Sequence, residues 1–239
     1  MLISKEKIKE IYLEEYKKQN ISALKLEEKY SLPKHYLYRW FNNLSLTMRS
    51  NAVNSLKYHC NESFFENIDT EEKAYWLGFI YADGYITSKR KQCNRKLGIS
   101  LSIKDINHLE KFNNSIDGDA PIHTYEQKSG YSVGNCYCRV VYQSKKLTDD
   151  LIRQGVVENK TNILSAPNLH SDDLVLAFVR GYFDGDGSVW MQGKSNIQAS
   201  VSFVGTDDIL IFIMDYLIKC GVLKRHYNLC KRKKTSDCF

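Results

Sequence analysis

Two aspartates, Asp83 and Asp186, close two versions of one short sentence in this chain. Residues 76–84 read Trp-Leu-Gly-Phe-Ile-Tyr-Ala-Asp-Gly, and residues 179–187 read Val-Arg-Gly-Tyr-Phe-Asp-Gly-Asp-Gly. Each is an apolar run ended by Asp-Gly. A repeat at this spacing is the mark of two copies of one supersecondary unit. Two copies can set one carboxylate from each beside the other. Paired carboxylates on a basic protein fit a divalent cation and phosphate chemistry.

The elements that must position these acids are helices. Asp-Gly between alternating apolar residues also signals a hairpin, so local features decide. Asp69-x-x-Glu72 is a capping-box-like start, and Ser171 before Asp172-Asp173 offers a cap with acids at the positive helix end. Both runs are apolar nearly all round, as buried helices are. Gly84 and Gly187 are expected as left-handed terminators. Gly78 and Ala82 share one face, as do Gly181 and Gly185, so two backbones can approach closely. Side by side, the helices bring Asp83 and Asp186 together at their negative ends, an arrangement a divalent cation would relieve. An EF-hand reading of Asp184-Gly-Asp-Gly-Ser fails, because Val189 would take the loop glycine and Ser195 the closing glutamate.

At 239 residues, 43% hydrophobic, the chain has room for a small domain and a larger one. Its net charge is +6 and its pI about 8.8. The charge is clustered: residues 87–104 hold six Lys or Arg and no acid, and residues 219–234 hold seven and no acid. Such runs are either solvated loops or a surface for a polyanion. Seven cysteines lack any Cys-x-x-Cys or framework spacing, as in reduced intracellular thiols. With no signal peptide and no apolar run of membrane length, a soluble, cytoplasmic protein without a membrane partner is expected.

Residues 1–43 read as all-helical. Ile8, Ile11, Tyr12 and Tyr16 recur at helical spacing after a Ser4 cap. Ser22 can cap a second helix carrying Leu24, Leu26 and Tyr30. Pro33 fits the first turn of a third, with Leu37, Trp40 and Phe41 inward and Lys34, His35, Tyr36 and Arg39 outward. This is either a plain three-helix module or a helix-turn-helix whose second helix faces DNA. Residues 44–68 are polar and irregular, a linker. Strand-like runs follow at 97–103, 137–142 and 199–204, with helices at 105–116, 145–154 and 207–220 and a further strand at 223–230.

Both motifs, with the sequence around them, resemble those of the LAGLIDADG homing endonucleases over roughly residues 65–239. Each keeps that motif's glycine, acid and closing glycine. The N-terminal helices resemble an accessory of some members. The resemblance implies an α+β fold of two pseudo-symmetric αββαββα units, residues 69–167 and 168–239, making a saddle on double-stranded DNA. It implies a metal-dependent endonuclease hydrolysing one phosphodiester per strand, with no small-molecule substrate, working as a monomer. Asp83 and Asp186, with the carbonyls of Ala82 and Gly185, would hold Mg²⁺ or Mn²⁺. The family also carries a Lys or Gln near each scissile phosphate, and Lys104 is the candidate here, with Lys128 and Lys231 weaker ones. Further DNA contacts are expected from Lys89, Arg90, Arg95, Lys96, Arg139, Lys224, Arg225, Lys231 and Arg232, within 89–103, 123–143, 192–203 and 223–234. Only 52 residues follow Gly187, so counterparts of Tyr137–Tyr142 and Leu147–Leu151 are missing. The second half thus reads as a truncated copy or one completed by another polypeptide. That leaves an alternative: a non-cleaving nucleic-acid-binding protein on the same scaffold, a transcription regulator or intron maturase.

Overall fold

The computed structural model describes residues 3–18, 21, 23–48, 58–87, 95–129, 133–158, 160, 163–192 and 198–230, in two compact units, Met1–His59 and Cys60–Phe239. In the first unit α1 (Lys5–Glu10) starts where the Ser4 hydroxyl accepts the Lys7 N–H at 3.1 Å, as its sequence predicts. It continues as a π-helical segment, Ile11–Lys18. Helices α2 (Ala23–Lys29) and α3 (Tyr36–Asn43) follow. Ile8, Ile11, Tyr12 and Tyr16 are all buried, against Leu26, Leu37 and Phe41. Ser22 lies outside the described residues, and Leu24 is exposed.

Between α2 and α3 the chain turns through Ser31 and His35, both at positive φ (51° and 64°). Pro33 therefore precedes α3 instead of opening it. No capping hydroxyl serves α3. The buried Glu27 carboxylate reaches over from α2 and accepts the N–H groups of His35 and Leu37, both at 2.9 Å. A carboxylate on two helix-start N–H groups satisfies orphan donors and meets the positive end of the dipole. Glu27→Ala leaves both N–H groups unpaired. The expected loss is about 2–3 kcal/mol, confined to the first unit and read as an earlier unfolding transition in urea.

The second unit runs α4 (Glu71–Ala82), β1 (Gly84–Ile86), β2 (Leu97–Ser102), α5 (Ile106–Ser115), β3 (His123–Glu126), β4 (Cys136–Tyr142) and α6 (Lys145–Arg153). It then repeats in shorter form as α7 (Asp172–Asp186), β5 (Gly187–Gln192), β6 (Gln198–Phe203) and α8 (Asp207–Lys219). This is an αββαββα unit followed by αββα, an α+β fold. The first sheet is antiparallel, ordered β1-β2-β4-β3; the second is the β5-β6 pair. In the first sheet Leu97, Ile99 and Leu101 pair with Tyr142, Val140 and Cys138 on the buried face, while Ser100 pairs with Arg139 on the other. Phe112 of α5 packs between Trp76 and Tyr142, with ring centroids 5.1 and 6.4 Å away. Among the described residues no helix is long and apolar enough to cross a membrane.

Four expectations need correction. The linker is shorter than residues 44–68: Leu44, Leu46 and Met48 pack on the first core, while Cys60, Phe64 and Phe65 are buried in the second unit. The α4 cap is Thr70, which accepts the Lys73 N–H; Asp69 pairs instead with the Lys73 ammonium. The positive-φ glycines among the described residues are Gly134, Gly155 and Gly221, so neither Gly84 nor Gly187 is a left-handed terminator. Each is the first residue of a strand, and the chain leaves the helix straight into the sheet. No strand forms at 223–230 among the described residues. Gly221, at φ 74°, ends α8, and the N–H groups of Val222 and Leu223 fold back onto the Leu217 carbonyl.

Candidate active site

Helices α4 and α7 pack backbone to backbone. A Cβ on Gly78 would fall 2.1 Å from the Phe178 carbonyl oxygen, and one on Gly181 would fall 1.9 Å from that of Tyr75. No larger residue fits either place. One turn further on, a Cβ on Gly185 would meet the Ala82 Cβ at 2.4 Å and an Asp83 carboxylate oxygen at 3.3 Å. The small-residue faces expected from the repeat are therefore the faces in contact. The Tyr75 hydroxyl donates to Asp184 at 2.6 Å, tying one helix to the other.

This packing delivers the two motif acids to one place. Asp83 is the C-cap of α4 and Asp186 the last residue of α7, both half-buried. Burial raises the Asp83 pKa, and the Asp186 charge raises it further; Lys160 opposes both and Asp105 adds to them. The acids are thus close enough to feel one another at the negative ends of two helix dipoles.

Lys160 is a residue of this site that sequence reasoning missed. Its ammonium donates to the carbonyls of Ile80 (2.8 Å), Tyr81 and Ala82, the orphan acceptors of the last α4 turn. Burial pulls its pKa down to about 8, against the upward pull of Asp186 and Asp83. A signal existed: three helix-end carbonyls needed a donor. Nothing local links residue 160 to residue 80, however. Lys104, the expected cation, has an exposed side chain after β2, with its backbone N–H on the Ser102 hydroxyl. Its neighbour Asp105, the last residue of the short 3₁₀ turn Ile103–Asp105, lines the cavity instead.

The sign of the Lys160 shift makes a testable expectation. A lysine with a depressed folded pKa contributes stability that is complete above its unfolded value of 10.5 and is lost as the pH falls through about 8. In EDTA, the chain should therefore gain stability to urea between pH 8 and 10.5, by at most about 3 kcal/mol. Lys160→Met should lack that gain; an identical pH profile in the variant would refute the assignment.

A cavity of about 480 Å³ opens beside Asp83, lined by Ser100, Ser102, Asp105, His108, Tyr137 and Asp184 among others. His108 stands among the rings of Trp76 and Phe79, 4.9 and 4.5 Å away, and burial lowers its pKa. For a metal, no group of three or more His, Cys, Asp or Glu converges among the described residues. A hard cation that keeps most of its waters needs only one or two protein carboxylates, so Asp83 and Asp186 fit Mg²⁺ or Mn²⁺. Gly185 stays at the helix contact, half-buried. The Ala82 carbonyl accepts the Lys160 ammonium.

The expected DNA contacts divide. Lys34, His35 and Arg39 are exposed, but Tyr36 is 8% exposed, its ring tilted against that of Trp40 at 6.4 Å, because α3 turns it into the core. Arg95 is held by Glu158 at 2.6 Å and Asp149 at 3.8 Å, an internal ion pair. Lys96 is half-buried at the edge of β2. Arg139 is exposed on β4, its guanidinium 5.4 Å above the Tyr125 ring, which stacks with Tyr137. That cation-and-ring surface suits a nucleic acid. Lys224 and Arg225 are exposed on the irregular segment after α8, and Lys128 on the loop after β3. Lys89, Arg90, Lys231 and Arg232 lie outside the described residues.

No family model matches the chain, and no curated protein does. Among solved structures it is similar to the homing endonuclease I-WcaI bound to its DNA recognition sequence, at 18% identity over 78% of this chain and 74% of that one, with a TM-score of 0.46. It is similar to the LAGLIDADG meganuclease I-AabMI bound to uncleaved DNA, at 17% identity over 67% and 75%, with a TM-score of 0.36. A third is the meganuclease I-SmaMI bound to uncleaveable DNA, at 16% identity over 60% and 72%, with a TM-score of 0.34.

Proposed function

We propose that this chain is a sequence-specific, metal-dependent endonuclease of the LAGLIDADG homing type acting on double-stranded DNA as a monomer. One observation carries the reading. Two carboxylates, one from each copy of the repeat, converge at a single junction of helix ends beside a buried lysine ammonium. Two like charges at two negative dipole ends are costly alone, and such a place suits a cation and a phosphate.

Asp83 and Asp186 are the residues that would hold Mg²⁺ or Mn²⁺. The chemistry such a cation supplies is activation of water and neutralisation of charge on the phosphate. Lys160 fixes the α4 end, which sets the Asp83 backbone, and places a positive charge where the phosphate would bring negative charge. Arg139 and the Tyr125–Tyr137 pair offer a backbone contact on the first sheet. In the N-terminal unit, α2, the turn and α3 serve as a helix-turn-helix, with Lys34, His35 and Arg39 toward DNA.

A second reading, a non-cleaving nucleic-acid-binding protein on the same scaffold, is favoured by one feature: Lys160 already supplies a cation at the Ala82 carbonyl. Incubation with a randomised duplex library in Mg²⁺, with sequencing of captured ends, separates the two. Ends at one defined site, absent in EDTA, support the endonuclease. Selective retention of duplexes without new ends selects the binder.

A further inference from the structure

The first unit sorts its charge along the chain. Residues 1–28 hold six lysines and six glutamates, whereas residues 29–61 hold five cations and no acid. Four of the six acids of the first stretch are engaged. Glu10 pairs with Lys7 at 2.9 Å, Glu14 with Lys18 at 3.1 Å, and Glu15 with Lys29 at 2.6 Å. Glu27 holds the start of α3. No ion pair among the described residues takes Lys34 or Arg39.

Helix α3 lies wholly within the acid-free stretch. Tyr36, Leu37 and Phe41 are buried and Trp40 is half-buried. The opposite stripe, His35, Tyr38, Arg39 and Asn42, is exposed and follows the i, i+3, i+4, i+7 spacing of one helix face. Tyr38 is 50% exposed although aromatic. A solvated face would need none of this chemistry: a ring, a planar donor fork and an amide that both donates and accepts. Those are the groups that match base edges. Because Glu27 occupies two N–H groups at the start of α3, that helix end is closed to phosphate, and phosphate anchoring falls to side chains such as Lys34.

We infer that α3 reads base edges in the major groove of duplex DNA, with Arg39 and Asn42 as the discriminating residues, Tyr38 as an apolar contact and Lys34 as a phosphate anchor. The inference rests on the helix-turn-helix reading given above and adds Tyr38 and Asn42 to it. Arg39 suits the O6 and N7 of guanine, Asn42 the N6 and N7 of adenine, and the Tyr38 ring a thymine methyl.

The test uses the full chain in EDTA, so that binding is measured apart from cleavage, with selection from a randomised duplex pool followed by titration across salt. Lys34→Ala should weaken binding to all sequences alike, about 5- to 10-fold, and lower the salt slope by roughly one. Arg39→Ala should erase a guanine preference at one position and Asn42→Ala an adenine preference nearby, each by about 10- to 100-fold in discrimination, with preferences elsewhere unchanged. Arg39→Lys should keep affinity but lose the guanine preference, since it keeps the charge without the fork. These residues are exposed, so unfolding midpoints should not move. If the Arg39 and Asn42 variants recover the wild-type motif at uniformly weaker affinity, base reading is overturned while DNA contact stands. If none of the variants alters duplex binding, or the losses appear on hairpin RNA instead, the helix-turn-helix reading itself falls.

Discussion

Asp186→Asn is expected to lower Mg²⁺-dependent hydrolysis of the target duplex by about 10³-fold or more: on the proposed endonuclease reading it removes one of the two carboxylates that would hold the cation, worth roughly 4 kcal/mol of transition-state stabilisation. DNA affinity in EDTA should hold or rise, since a negative charge leaves a surface that meets phosphate. Asp83→Asn should do the same and reveal a second effect. The Asp83 pKa is raised by burial first and by Asp186 next. For an acid raised in the folded state, the stability linked to protonation is present below the unfolded value and lost as pH rises through the folded value. At neutral pH in EDTA, Asp83→Asn should therefore be more stable than wild type, a sign opposite to that of most substitutions at half-buried positions. Thermal melts and a single-turnover cleavage assay check both parts. Unchanged cleavage in both variants would remove the carboxylate pair from the mechanism. A large loss of stability would instead show the carboxylates to be structural ligands of the fold.

The other large effect concerns the helix contact. Gly181→Ala adds one methyl group where a Cβ has 1.9 Å to the Tyr75 carbonyl oxygen and 2.8 Å to its carbon. Those neighbours are backbone, so neither can swing aside, and α4 and α7 must separate. The cost should be about 3 kcal/mol or more, a fall of roughly 10 °C in melting temperature for a unit of this size. Leu176→Ala, on the same helix but exposed, removes more atoms and should move the melt by only a degree or two. Separation of the helix ends also parts Asp83 from Asp186, so the Gly181 variant should be inactive even where it remains folded. Equal melting points for the two variants would mean that the helices do not touch as described.

Several structural features were legible without coordinates because their causes are local. The Ser4 and Ser171 caps act within three residues. The buried set of α1 and its π-helical continuation followed from helical spacing, and β2, β4 and β6 followed from short apolar runs bounded by turns. The small residues of the two motifs even foretold which helix faces meet. Other features depend on what lies across space. Tyr36 is one residue from an exposed position, and only the seating of α3 on Leu26 and Tyr12 turned it inward. Arg95 reads as a free cation until Glu158 and Asp149 are folded beside it.

Lys160 is the clearest case. Its acceptors lie 78 to 80 residues earlier in the chain, so no window of sequence contains both partners. Sequence alone determined that two acids would end two buried helices, because periodicity, caps and small residues act over one or two turns. Tertiary structure alone decided which cation attends them, because an ammonium finds unsatisfied carbonyls by burial and distance, and those quantities exist only once the chain has closed on itself.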